Sequence, residues 1–449
     1  MAQTELITFA PMNRLSQPID EQRYQRVLSI IKWVFALLLI WPVSRAVSST
    51  NDFDVFYGAG QRVAEGMSPY LKPYARGLWY YYSPFFAWVM SLFTYLPQNP
   101  VTTLPIPLGQ ALLKALWGGL NLLLIVRVLR IVGDEISGAG KTRAQLWFWG
   151  LLMAMSYRWL FMNILYGQMT ILVLWGVAEA YRSKPVAEWR RWGGLALGIN
   201  IKILPLFFYG LQFWRAVLSK KALEWRSMAW ITAWLLALLI VPYLFVEVGF
   251  HNVLIKDWLD IINPAAKEHI LEVGEGGFID FGAIVTKYFT HLPIPKETSY
   301  EWADLSLKQV GLVTNGFRLW VIVLCSYWAI RLQNSKALVW STTFVQMSVF
   351  LAVIPLAFPH QRDYSLLMQM PALAYWLWCE LNGLQRSPIW LKAWALFALF
   401  WMGCLVFFEA FDLTYRIWMI DHRVQGAAGL LFWFAYQVFL VRQIRNQQA

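Results

Sequence analysis

Charge is what this sequence has least of. Only 14% of its 449 residues are Asp, Glu, Lys or Arg, against roughly 25% in an ordinary soluble domain. That shortage excludes a water-covered globule. Cysteine is nearly absent too: Cys325, Cys379 and Cys404 all sit in apolar runs, with no CxxC spacing. Neither a disulfide framework nor a zinc site follows from them. Histidine numbers five, and His251, His269 and His291 are too widely spaced for HExxH-type ligation, so they read as surface residues. No P-loop or dinucleotide fingerprint occurs, and no basic soluble module accompanies the net charge of +12, which excludes nucleic acid as a partner. A cleaved leader is not expected either. The first apolar run begins only near Val27, behind Arg14, Arg23 and Arg26, and reads as a retained span. No internal repeat stands out, which counts against a transporter.

What is there is apolar. Hydrophobic residues make up 58% of the chain, with 27 Trp and 20 Tyr, and the mean hydropathy is +0.46. Runs of roughly 20 residues nearly free of charge are long enough to cross a bilayer, and Trp and Tyr favour its interfaces. The expected fold is an all-α polytopic membrane protein. Twelve spans are expected, at about 27–47, 82–97, 109–131, 144–161, 163–181, 192–213, 227–249, 311–330, 337–357, 364–382, 391–410 and 426–441. Residues 1–26 and 444–449 then form cytoplasmic tails around one membrane domain, 27–443, with larger external loops at about 48–81 and 250–310. Basic residues prefer the cytoplasmic side. In the second half Arg215, Lys220, Lys221 and Arg226, then Arg331 and Lys336, then Arg386 and Lys392, then Arg442 and Arg445 obey this. In the first half twelve spans leave Arg127, Arg130, Lys141 and Arg143 outside, and Arg182, Lys184, Arg190 and Arg191 with them. Either one run is re-entrant or a basic loop meets lipid phosphate outside.

Four places could carry chemistry. Asp52 and Asp54 lie in Asn51-Asp52-Phe53-Asp54-Val55-Phe56-Tyr57, just past the first span. Two positions apart, they point about 200° away from each other on a helix and cannot share one role. One of them could take a proton from a hydroxyl; a helix-capping carboxylate is the plainer reading. Lys202 stands within an apolar run three residues before Pro205. A lysine at a span's centre costs about 2.5–3.5 kcal/mol, so it either lines a polar cavity beside a broken helix or snorkels to the interface. Phe358-Pro359-His360-Gln361-Arg362-Asp363-Tyr364 is a short external turn. Its Arg362 could clamp a phosphate with His360 beside it, or pair locally with Asp363. Gly167 and Gln168 mark the junction of two apolar runs, as cavity wall or as tight connection. The long loop adds Glu268, Glu272, Glu275 and Asp280, broken by Gly274, Gly276 and Gly277, with Pro293 and Pro295 beyond.

Taken together, Asp52 through Tyr57, Gly66-Met67-Ser68-Pro69-Tyr70, Tyr82-Ser83-Pro84-Phe85-Phe86, Trp117-Gly118-Gly119-Leu120-Asn121, Gly167-Gln168, Gly194 through Lys202 to Pro205, and Phe358-Pro359 leading to Tyr364 and Pro371 resemble glycosyltransferase family 87. These are polyprenyl-phosphate-dependent membrane enzymes of the GT-C class, some of them mannosyltransferases. The resemblance implies a GT-C fold in the cytoplasmic (inner) membrane with its active site on the periplasmic side. It implies inverting transfer of a hexose, mannose-like, or a pentose from a polyprenyl-phosphate sugar to a lipid or glycan acceptor. Asp52 falls on the family's acid and would be the general base; Asp54, at a variable position, would be a second acid. Lys202, His360 and Arg362 would hold the donor phosphate, and Tyr57, Tyr82 and Gln168 would line the cavity. No cofactor or metal is expected besides the donor, since Asp52 and Asp54 make a thin ligand set. Membrane lipids are the surrounding partners, and the oligomeric state stays open. The chain departs from the family at Arg362-Asp363-Tyr364, where many members carry a His pair, and at Gly276 through Asp280, where many carry Asn-Gln-Ser. The alternative is a lipid or glycan transporter or flippase without chemistry.

Overall fold

The computed structural model describes residues 15, 17–74, 78–95, 107–136, 141–219, 222–262, 277–290, 302–333, 335, 338–384, 387–404 and 413–446. Arg14, Lys220, Lys221, Glu268, His269, Glu272, Gly274, Glu275, Gly276, His291, Pro293, Pro295, Lys336, Arg386 and the final residues 447–449 lie outside the described residues.

Among the described residues every regular element is helical. In chain order these are α1 Glu21–Ser48, α2 Phe53–Ala64, α3 Pro84–Ser91, α4 Leu108–Glu135, α5 Arg143–Leu165 and α6 Thr170–Tyr181. Next come α7 Glu188–Ile201, α8 Leu206–Ser219, α9 Ala222–Ile240, α10 Val248–Ile261 and α11 Phe281–Phe289. The last are α12 Leu307–Gln333, α13 Thr342–Ala357, α14 Met370–Leu381, α15 Ile389–Trp401, α16 Leu413–Asp421 and α17 Val424–Asn446. Short 3₁₀ turns follow α9 at Val241–Leu244 and precede α14 at Asp363–Gln369.

Five helical stretches are long and apolar enough to cross a membrane: α1, α4, Glu224–Leu244, α12 and α17. On α1, Ile30, Trp33, Val34, Leu37, Leu38, Ile40 and Trp41 stand exposed, a lipid-facing surface rather than a core. The core lies around shorter apolar helices. In α13 every residue from Phe344 to Ala357 is buried, and in α14 every residue from Met370 to Cys379. Close approach relies on glycine where α6 meets α7. A Cβ on Gly176 would stand 2.3 Å from the Gly194 carbonyl oxygen, so only a missing side chain lets the backbones touch.

The expected spans at 163–181, 364–382 and 391–410 carry helices of only 12, 12 and 13 residues, and two others depart further. The run at 82–97 forms only the eight-residue α3, about 12 Å of helix, followed by turns at 92–95. That is far short of the roughly 30 Å hydrocarbon core. Ser83 caps it, accepting from Phe86 N–H at 3.2 Å, with Pro84 in its first turn. The run at 192–213 is two helices, α7 and α8, parted at residues 202–205. The basic clusters of the first half also find their place. Arg182 and Lys184 pair with Asp134 at 2.8 and 2.7 Å, and buried Glu179 accepts from Arg127 and Arg182 at 3.0 and 3.1 Å. Ile19 N–H donates to Lys141 C=O at 2.9 Å, and Lys141 pairs with Glu21. Both clusters therefore lie at the end of the bundle where α1 begins. With α3 not crossing, they share a side with residues 17–21, and the conflict with the basic-loop rule disappears.

Candidate active site

At the far end of α1, about 42 Å away, Asn51 joins three segments. Its Nδ2 donates to Ala46 C=O at 3.2 Å and Leu165 C=O at 3.0 Å, and its Oδ1 accepts from Phe53 N–H at 3.1 Å. The start of α2 is thus served by Asn51. Asp52, at the cap position itself, makes no capping bond, and its carboxylate accepts from Gln168 Nε2. Gln168 is set by Gly167, whose φ is +67°. A Cβ there would stand 2.7 Å from the Phe53 Cβ, and Trp117 Nε1 fixes the Gly167 carbonyl at 3.1 Å. The tryptophan-glycine and glycine-glutamine motifs, distant in sequence, meet here.

Asp52 lines a cavity of about 620 Å³. Helical spacing brings Val55 and Phe56 to the same wall, three and four positions on. Asp54 turns away. It pairs with buried Lys114 at 2.6 Å, accepts from Gln110, and takes Asn51 N–H at 2.8 Å. Tyr57 is buried and is not part of this cavity's wall; five positions from Asp52 is about 140° around the helix. Tyr82 and Gln168 do line the cavity.

Lys202 ends α7. Its N–H still donates to Gly198 C=O at 3.0 Å, and its Nζ donates to Gln361 Oε1 at 3.4 Å. It lines the same cavity and lies within electrostatic reach of Asp52. Neighbouring Asn200 Oδ1 accepts from Ser83 Oγ at 2.8 Å, fastening the start of α3 to the end of α7. The late turn supplies a further part of the wall, with His360, Gln361 and Arg362. His360 has φ +58° and stacks on Tyr81 at 5.1 Å, with the Phe278 ring edge-on at 5.3 Å. Phe278 forms an isolated antiparallel bridge with Arg362, and Ile279 N–H donates to Gln361 C=O at 2.7 Å. The local Arg362–Asp363 pair is not what forms: Asp363 takes Arg158 instead, at 2.8 Å. Leu78, Ile203, Leu204, Phe207, Ile261 and Phe358 make the rest of the wall largely apolar.

Asp52, Lys202, His360 and Arg362, drawn from three segments, thus front one space. A carboxylate there can accept a proton, cations can stabilise a departing anion, and the apolar wall suits a lipid chain. Gln361, Tyr81, Phe278 and Arg158 hold this arrangement and had no assigned role in the sequence reading. Arg158 alone gave a signal, as a charge inside an apolar run.

No curated protein matches the chain. Among solved structures it is similar to ArnT from Cupriavidus metallidurans in the apo state, at 12% identity, covering 93% of this chain and 78% of that one with a TM-score of 0.37. The model of glycosyltransferase family 87 matches residues 80–355, more than half of the sequence. The chain therefore belongs to glycosyltransferase family 87, and with its apolar helices it is a multi-pass membrane glycosyltransferase.

Proposed function

We propose that this enzyme transfers a hexose, mannose-like, or a pentose from a polyprenyl-phosphate sugar to a hydroxyl of a lipid or glycan acceptor, with inversion. One observation carries the reading: Asp52 and the basic side chains Lys202, His360 and Arg362 line the same partly apolar cavity. The polyprenyl chain lies along the apolar wall and its phosphate among the cations. As the acceptor hydroxyl attacks the anomeric carbon, Asp52 takes its proton. The glycosidic carbon–oxygen bond to the phosphate breaks, and the polyprenyl phosphate leaves with the electron pair, its charge met by Lys202 and Arg362. Gln168 keeps Asp52 oriented toward the cavity.

The scheme uses no metal: Asp54 is committed to Lys114 and Gln110, and among the described residues no group of three His, Cys, Asp or Glu side chains could hold one. The basic end of the bundle faces the cytoplasm of the inner membrane by the basic-loop rule, so the cavity opens on the periplasmic side.

The test is transfer by purified protein from a panel of synthetic polyprenyl-phosphate sugars. Asp52→Asn should lower kcat by roughly 10²–10⁴-fold, the usual contribution of a general base, while the folded variant still binds donor. No transfer by wild type from any donor sinks the donor assignment. Wild-type rates in Asp52→Asn sink the base and leave a carrier of the same lipid as the better account.

A further inference from the structure

The hydroxyls of buried Tyr70, Tyr80, Tyr181, Tyr375 and Tyr436 all bond within the protein, at 2.8, 3.0, 3.3, 3.0 and 2.7 Å. Burial asks this of a phenol. Two tyrosines on the wall of the Asp52 cavity break the pattern. Neither the Tyr82 nor the Tyr364 hydroxyl makes a hydrogen bond among the described residues, although Tyr364 is only 6% exposed. The rest of both residues is held firmly. The Tyr82 carbonyl accepts from Tyr70 Oη at 2.8 Å, and its ring meets Phe56 edge-on at 4.7 Å, one turn past Asp52. Tyr364 N–H donates to Asp363 Oδ1 at 2.9 Å, its carbonyl accepts from Asn163 Nδ2 at 2.8 Å, and its ring lies 6.3 Å from that of Tyr166. Fixed rings with unpartnered hydroxyls lose little freedom when a ligand arrives.

Their position says which part of a ligand they meet. Asp52 acts on both phenols, and Arg362 acts on Tyr364. A phenol beside a carboxylate keeps its proton and has an O–H to donate. If Asp52 is the base and Arg362 meets the leaving phosphate, the sugar in transit lies between them, within reach of Tyr364. The wall's two glutamines are already committed, Gln168 to Asp52 and Gln361 to Lys202 and the Pro359 carbonyl. We propose that Tyr82 and Tyr364 hold hydroxyls of the sugar being transferred and so set which sugars the enzyme accepts. A site that hydrogen-bonds a hydroxyl rejects the analogue lacking it far more sharply than an apolar pocket does. This grip rests on the donor reading above; its test reads binding, which needs no transfer.

Purified full-length protein in uncharged detergent is titrated by calorimetry with synthetic polyprenyl-phosphate mannose and polyprenyl-phosphate xylose. Singly deoxygenated analogues of the tighter binder follow. In wild type at least one analogue should bind at least tenfold more weakly than its parent. In Tyr364→Phe that ratio should fall to within threefold of one, because the group that sensed the missing hydroxyl is gone. Tyr82→Phe should flatten a ratio in the same way, and carries the test alone if Tyr364→Phe does not fold. Since neither hydroxyl bonds the protein, both variants should unfold within about 2 °C of wild type; a larger fall would make the phenol structural and overturn the proposal. So would ratios near one in wild type, wild-type ratios kept in either folded variant, or no binding of either donor. Flattened ratios with no transfer from any donor would sink the transfer reading while the grip stands. Transfer with ratios unchanged in the variants would sink the grip and leave that reading intact.

Discussion

His360 occupies left-handed backbone space, at φ +58°, where a side chain with a Cβ costs about 1–2 kcal/mol. Its ring, held between Tyr81 and Phe278, offsets that strain. His360→Ala keeps the strain and loses the stacking, whereas His360→Gly loses both. The glycine variant should therefore unfold at higher temperature than the alanine variant, by the equivalent of about 1 kcal/mol, with transfer impaired in both; thermal unfolding in detergent checks the order. A second residue gives a pH signature. Burial pushes the Asp280 carboxyl up to about 7, against the pull of the Ala283 N–H and of the Arg318 and Arg423 guanidiniums. In the unfolded chain this group titrates near 3.8. Between those values the folded state binds the extra proton, so its contribution to stability is full below about pH 4 and is lost as pH rises through 7. Asp280→Asn keeps an oxygen for the Ala283 N–H, which donates to it at 3.1 Å, and removes the titration. Its unfolding temperature relative to wild type should rise from pH 5 to pH 8; a difference independent of pH would refute the buried acid. At this scale the sequence was informative about Asp52 and Asp54, because a two-residue offset on a helix separates them whatever surrounds them. Gln361 was not legible, since its role comes from Lys202, 159 positions away.

Among the elements, α3 was misread for a physical reason. Hydropathy reports how apolar a run is and says nothing of where its hydrogen bonds stop. The turns at 92–95 end the helix while the composition stays apolar. The break between α7 and α8 was legible only in part: Lys202 and Pro205 suggested a broken helix, yet the run at 192–213 still counted as one span, because its composition is apolar on both sides of the break. The contact of α6 with α7 was not, as glycine in a span reads equally as packing surface or as weakness. Its importance can be measured. Gly176→Ala would press a methyl group against the Gly194 carbonyl, and overpacking of this kind costs about 1–3 kcal/mol. The unfolding temperature should fall, and the residual transfer per folded molecule should fall with it, because α7 carries Lys202 at its end. An unchanged unfolding temperature would mean that the two helices separate without loss.

For the whole molecule, a membrane protein was evident from composition alone, and the gathering of distant motifs into one cavity was evident only in three dimensions. Orientation is the property most directly open to test. The three native cysteines are buried, so single introduced thiols report cleanly. Leu71 is 67% exposed near the cavity end, and the Lys184 side chain is 52% exposed at the basic end. An impermeant maleimide should label Leu71→Cys in spheroplasts and Lys184→Cys only after the membrane is opened; the reverse pattern would turn the cavity toward the cytoplasm. The bond from Lys202 Nζ to Gln361 Oε1 adds a thermodynamic consequence. It ties the end of α7 to the late turn, so an occupant of the cavity that draws the lysine away loosens that tie. Such coupling is reciprocal by necessity: whatever the occupant takes from the turn's hold on Lys202, the turn takes from the occupant's affinity.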